Sequence, residues 1–150
     1  MNETKLIEVA SEDETRAFGE KIGQLLIGGE VIELVGDVGA GKTTFVKGLA
    51  KGLLVDDDVQ SPSFTISRVY DARDDLQLAH YDFYRLSDAG IMADELRETT
   101  QDPLTITVIE WADIVEGVLP EGRLRIAFAA PSETDRSLTI QGPKGIVEQL

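Results

Sequence analysis

The sequence predicts a three-layer α/β fold with a mixed, partly antiparallel central sheet, and three observations carry that prediction. Short apolar runs of strand character, at 31–35 and 104–109, alternate with segments whose apolar residues recur at helical spacing. The run Gly36-Asp37-Val38-Gly39-Ala40-Gly41-Lys42-Thr43 lies between one such strand and one such helix. That is the setting in which a G-x-x-x-x-G-K-[ST] sequence forms a phosphate-binding loop. Two strand patterns near the C-terminus, 123–129 and 137–141, read as an antiparallel pair.

Taken in order, residues 6–10 are a short strand, and Ser11-Glu12-Asp13-Glu14 is a capping-box pattern. Ser11 is its N-cap and Glu14 returns to the cap N–H. Phe18, Ile22, Leu25 and Leu26 give the helix that follows one apolar face, and Gly28-Gly29 ends it with residues that tolerate a left-handed cap. After the central strand and the glycine loop, Phe45, Val46, Leu49 and Leu53 form the buried stripe of a helix over 44–53. Asp56-Asp57-Asp58 reads as a solvated turn in preference to a metal site, since nothing places its three carboxylates around a common point. Phe64, Ile66, Arg68 and Tyr70 alternate with Thr65, Ser67 and Val69 as a strand, 71–75 is a hairpin turn, and 76–81 is the returning strand. Residues 87–97 read as a helix weakened by Gly90, Pro103 introduces the strand at 104–109, and 145–150 form a short tail.

Composition narrows the function. With 28 acidic against 14 basic side chains, the formal net charge of -14 repels a nucleic acid backbone. Any role near RNA therefore goes through a partner. The absence of cysteine excludes disulfides, thiolate metal sites and cysteine nucleophiles, and fits a reducing interior. The 150 residues, 42% of them hydrophobic, suit a single domain over 1–150. Residues 1–6 lack the basic start and apolar stretch of a secretory signal, and no apolar run reaches bilayer length. The expectation is a soluble cytoplasmic protein.

In the loop, the N–H groups of Gly39, Gly41, Lys42 and Thr43 converge on an anion at a helix N-terminus. The expected nucleotide contacts are Asp37, Val38, Gly39, Ala40, Gly41, Lys42, Thr43 and Thr44. Lys42 reaches the outer phosphates, and the Thr43 hydroxyl completes the coordination of Mg2+. Ligands of open α/β sheets gather beyond the carboxyl ends of strands. Asp82, after His80-Tyr81, and Glu110, after Thr107-Val108-Ile109, are therefore candidates to hold magnesium or to orient the attacking water. Each acid also fits a strand-end cap or an ion pair with a base such as Arg85. Ser61-Pro62-Ser63-Phe64-Thr65 reads equally as a γ-phosphate sensor or an ordinary turn. His80, with no cysteine or second histidine beside it, suits a hydrogen-bonding role over a zinc site. Trp111, the only tryptophan, fits either the core or a place beside nucleotide.

Four stretches occur in the order seen in the TsaE family, the bacterial ATPases needed to make threonylcarbamoyladenosine in tRNA. Gly-Asp-Val-Gly-Ala-Gly-Lys-Thr-Thr-Phe at 36–45, Ser-Pro-Ser-Phe-Thr at 61–65, His-Tyr-Asp-Phe-Tyr-Arg-Leu at 80–86 and Ile-Glu-Trp at 109–111 resemble the marks of that family. The likeness runs over about residues 12–136. It implies that Lys42 and Thr43 bind ATP and Mg2+, that Glu110 is the second magnesium ligand, and that Asp82 is a Walker-B-like acid. It further implies that Trp111 lies close to the nucleotide, that Ser63 and Thr65 belong to a switch-like segment, and that Ser11 approaches the adenine. The implied partners are TsaD, which carries the transferase chemistry, and TsaB, with tRNA engaged only indirectly. Hydrolysis is then slow alone and faster on assembly.

One departure is Ser63, where the family usually has threonine. Serine keeps the hydroxyl but loses the methyl that restricts χ1, giving a looser switch. Arg85 and Arg136 are candidate arginine fingers in cis, the alternative being one supplied by the partner. Two other functions share such a loop: a small-molecule kinase, for whose lid and acceptor pocket the chain has little length, and a nucleotide-sensing module in which Asp82 and Glu110 only hold magnesium.

Overall fold

The computed structural model describes residues 2–37, 39–60, 62, 66–84, 86, 90 and 92–150. In chain order the elements are β1 (Asn2–Val9), α1 (Glu12–Leu25), β2 (Val31–Val35), α2 (Lys42–Gly52), β3 (Ser67–Asp71), β4 (Gln77–Asp82), α3 (Met92–Gln101), β5 (Thr105–Glu110), β6 (Leu124–Ala129), β7 (Arg136–Pro143) and α4 (Lys144–Val147). Short 3-10 segments cover Arg73–Asp75 and Ala112–Val118. The strands form one sheet in the order β1-β7-β6-β2-β5-β4-β3. Its centre, β6-β2-β5-β4, is parallel, while β7, β1 and β3 pair antiparallel at the flanks. This is the expected three-layer α/β arrangement with a mixed sheet.

The parallel strands explain their own composition. All six residues of β5 are buried, as a strand covered on both faces requires. Ile32 and Leu34 of β2, Leu78 of β4, and Ile106 and Val108 of β5 pack with Ile22 of α1 and Phe45 and Leu49 of α2. Val31, Ala79, Tyr81 and Ile109 face the opposite layer, where Leu96 of α3 and Ala112, Val115 and Leu119 close a second core. Glu33, buried in the middle of β2, is paired by the Arg123 Nε at 2.7 Å.

Helices α1 and α2 meet backbone to backbone. A Cβ at Gly19 would lie 2.4 Å from the Phe45 carbonyl oxygen, and one at Gly48 would lie 2.0 Å from that of Arg16. Gly23 and Gly52 make the same approach one turn further on. Arg73 closes the far end of the pair, its guanidinium donating to the carbonyls of Gly23, Gln24 and Leu26 from the end of α1 and of Gly52 from α2. A cation on the last carbonyls of a helix satisfies orphan acceptors and complements the dipole.

Several local expectations shift. Ser11 caps α1, accepting the Glu14 N–H at 3.1 Å, but the Glu14 carboxylate accepts the Ala10 N–H at 3.0 Å, one residue before the cap. The first strand starts at Asn2 rather than at residue 6, because β7 offers it eight paired positions. The strand expected over 64–70 is β3, Ser67–Asp71; residues 61 and 63–65 lie outside the described ones, and Ile66 has φ 70°. Of the helix expected over 87–97, the described part is α3, Met92–Gln101; residues 87–89 and 91 lie outside the described ones, and Gly90 has φ 53°, in the left-handed region. The expected tail instead folds as α4, burying Val147 and Leu150, with the Lys5 ammonium donating to the Leu150 carbonyl. The 3-10 segment Ala112–Val118 carries no sequence signal of its own. No described helix is long and apolar enough to cross a membrane.

Candidate functional site

The site forms where the parallel strands end. β2 leads into the glycine loop, and Gly41 caps α2 at φ 107°, a conformation that strains any residue with a Cβ. No side chain caps this helix, and its first helical bond runs from the Phe45 N–H to the Gly41 carbonyl. The amides of Lys42, Thr43 and Thr44 therefore precede the helical ladder, at the positive end of the dipole. Such a terminus is an anion site.

Lys42 stands in the first turn of α2 and is 5% exposed. Its Nζ donates to the Gly36 carbonyl at 2.6 Å and lies 3.8 Å from Glu110 Oε1 and 4.2 Å from the centre of the Trp111 ring. Burial pushes its pKa down, against the upward pull of Glu110, Asp82 and Asp37. A further anion beside the amine would relieve that desolvation.

Asp82 and Glu110 sit opposite each other in the last register of β4 and β5, both buried. Asp82 Oδ1 accepts the Tyr84 N–H at 3.0 Å, and Glu110 Oε2 lies 2.6 Å from His80 Nε2. Two buried carboxylates beside the loop that carries the Thr43 hydroxyl are hard oxygen donors, the chemistry that Mg2+ takes. The residues present fit that ion. Trp111, the residue after β5, lies in the left-handed region at φ 57°, and its ring also meets Tyr84 at 4.8 Å between centroids.

On the other side of the loop is a cleft of about 600 Å³. Gly39, Gly41, Lys42, Thr43 and Thr44 form one wall. Ser11, the cap of α1, and Thr15 within it, with Glu133 and Thr134 of the β6–β7 turn and Arg136 at the start of β7, form the other. Ser11 thus lies at the loop, brought there by the glycine contact of α1 on α2. Asp37 and Ala40 do not line the cleft; the Ala40 N–H bonds the Asp37 carbonyl at 3.1 Å and closes a turn within the loop. Lys42 joins the two halves of the site, lining the cleft while its amine lies against Glu110 and Trp111.

Of the sequence candidates, Val38, Ser63, Thr65 and Arg85 lie outside the described residues. Arg136 donates to the carbonyls of Ser132, Glu133 and Asp135 and, at 3.5 Å, to that of Gly39. It ties the β6–β7 turn to the phosphate loop. Thr15, Glu133 and Thr134 were not anticipated. Thr15 had a signal, a hydroxyl one helical turn beyond the cap; the other two had none, since their place depends on β6 running parallel to β2. The carboxylates of Asp56, Asp57 and Asp58 are exposed, and among the described residues no three His, Cys, Asp or Glu side chains form a metal cluster.

A mixed α/β sheet whose parallel centre carries this loop at its carboxyl edge defines a phosphate-loop protein. Residues 9–138 match the family described as threonylcarbamoyl adenosine biosynthesis protein TsaE. The chain is 37% identical to the tRNA threonylcarbamoyladenosine biosynthesis protein TsaE of Treponema pallidum, over 87% of this chain and 95% of that one. It is 37% identical to the Bacillus subtilis protein of that name, over 92% and 85% of the two chains, and 43% identical to the Aquifex aeolicus protein, over 73% and 89%. The crystal structure of Bacillus subtilis YdiB, 31% identical, aligns with a TM-score of 0.79 over 99% of this chain and 93% of that one. The chain belongs to the TsaE family, whose members take part in threonylcarbamoyladenosine biosynthesis.

Proposed function

We propose that this chain is a Mg2+-dependent ATPase whose turnover resets a TsaD–TsaB transferase complex between rounds of tRNA modification. The observation that carries the reading is one buried amine, Lys42, held between the uncapped N-terminus of α2 and the carboxylates of Glu110 and Asp82. Phosphoryl transfer asks a protein mainly for positioning and charge neutralisation, and these groups supply both.

In this reading the amides of Lys42, Thr43 and Thr44 bind the outer phosphates of ATP. The Lys42 amine leaves the Gly36 carbonyl and neutralises charge on the phosphates. Thr43, Glu110 and Asp82 hold Mg2+, which when bound stabilises charge developing between the β- and γ-phosphates. The cleft shared by Ser11, Thr15 and the β6–β7 turn takes the nucleoside. The net charge of -14 leaves the tRNA to the partner surface.

Phosphate release from ATP tests this directly. The isolated chain should hydrolyse slowly, TsaD–TsaB should accelerate it, and Lys42→Ala should abolish both rates. Nucleotide-dependent assembly with no phosphate release would replace the ATPase reading with a nucleotide sensor. A phosphorylated metabolite acceptor would replace it with a kinase.

A further inference from the structure

His80 is the single histidine of the chain and is fully buried on β4. It shares a face of that strand with Asp82, two residues on, and its register partner on β5 is Val108, two residues before Glu110. The imidazole therefore reaches diagonally across the strand pair, a span open to ring side chains. Its Nε2 lies 2.6 Å from Glu110 Oε2, while Glu110 Oε1 lies on the Lys42 side at 3.8 Å. Among the described residues His80 Nδ1 has no hydrogen-bond partner. A hydrogen on Nδ1 would be a buried donor without an acceptor, so the ring carries its hydrogen on Nε2 and donates it to the carboxylate.

We infer that His80 is a positioning residue which, by holding Glu110 Oε2, fixes Oε1 as the oxygen presented toward Lys42 and the phosphate loop. The inference rests on the Mg2+–ATP reading above and deepens it. The terminal torsion of a glutamate is broad, so an untethered carboxylate would sample orientations that turn neither oxygen squarely to a cation. Outer hydrogen bonds of this kind orient ligating carboxylates, and their loss lowers metal affinity.

Calorimetry of ATP binding, with Mg2+ and with the metal chelated, tests it in three proteins. His80→Leu should lose about 10- to 100-fold in apparent Mg2+ affinity while metal-free ATP affinity stays within about twofold. His80→Gln, whose amide N–H can occupy the Nε2 position, should recover most of that loss. Equal losses with and without metal, or a glutamine variant no better than leucine when both melt like wild type, would overturn the inference.

Should the leucine variant not fold, the imidazole nitrogen spectrum of the wild-type protein decides. With one histidine in the chain the signals need no assignment. An Nε2–H tautomer, kept on adding Mg2+–ATP, is expected; an Nδ1–H tautomer refutes the contact. Wild-type protein that binds no Mg2+–ATP would instead sink the ATPase reading, while the tautomer still reports on His80 by itself.

Discussion

Replacing Gly48 by alanine probes the contact that brings α1 to the site. The added Cβ would lie 2.0 Å from the Arg16 carbonyl oxygen, 2.8 Å from its carbon and 3.0 Å from its Cα. All three are main-chain atoms, so no rotamer change relieves them. The two helices must part by roughly 1.5 Å before the contact becomes ordinary van der Waals packing. Overpacking of a tight interior costs about 1–3 kcal/mol, and a backbone neighbour puts this case at about 3. Alanine returns about 1 kcal/mol of helix propensity. The net loss of about 2 kcal/mol corresponds to a fall in melting temperature of about 4–8 °C for a chain of this size. Circular dichroism melting would read it against Gly145→Ala, a change that meets open space. ATP affinity should fall as well, since Ser11 and Thr15 ride on α1. If Gly48→Ala melted at or above wild type, the backbone contact would not exist in solution, and the placement of Ser11 beside the loop would lose its support.

Burial lowers the Lys42 pKa, so between that depressed value and the ordinary lysine value the unfolded chain binds a proton the folded one does not. Wild-type stability therefore rises with pH across the window, and the advantage of Lys42→Met over wild type should shrink there in urea titrations; a constant difference would contradict the burial. Arg73→Ala strips a cation from four helix-end carbonyls and should cost about 2–4 kcal/mol, read as a lower urea midpoint at unchanged slope. Trp111 fluorescence should change on adding ATP with Mg2+, because the Lys42 ammonium 4.2 Å from its ring is the group drawn to the phosphates. A flat signal would mean that the amine stays on the indole.

Much of the site was legible because its parts are contiguous. Eight residues in a row specify the phosphate loop, and the strand before and helix after it are each readable from periodicity. Asp82 and Glu110 were reachable because a polar residue that closes an apolar strand pattern stands at a carboxyl end. That they face each other was not, since it requires β4 and β5 to be parallel neighbours in one register. Arg136 could be named only as a candidate arginine finger. Its grip on Gly39 depends on the turn after β6 arriving beside a loop 97 positions earlier.

The sequence alone determined what is local: the anion-binding loop, the cap on α1, the apolar stripes and the unfavourable encounter of this acidic chain with nucleic acid. Hydrogen-bonding patterns and side-chain periods act over a few residues, so they can be read without neighbours. Tertiary structure decided which distant groups share an environment: Glu33 with Arg123, His80 with Glu110, and Ser11 with the loop. Those pairings depend on strand order and on how closely two helix backbones can approach, and burial then sets the strength of each charge.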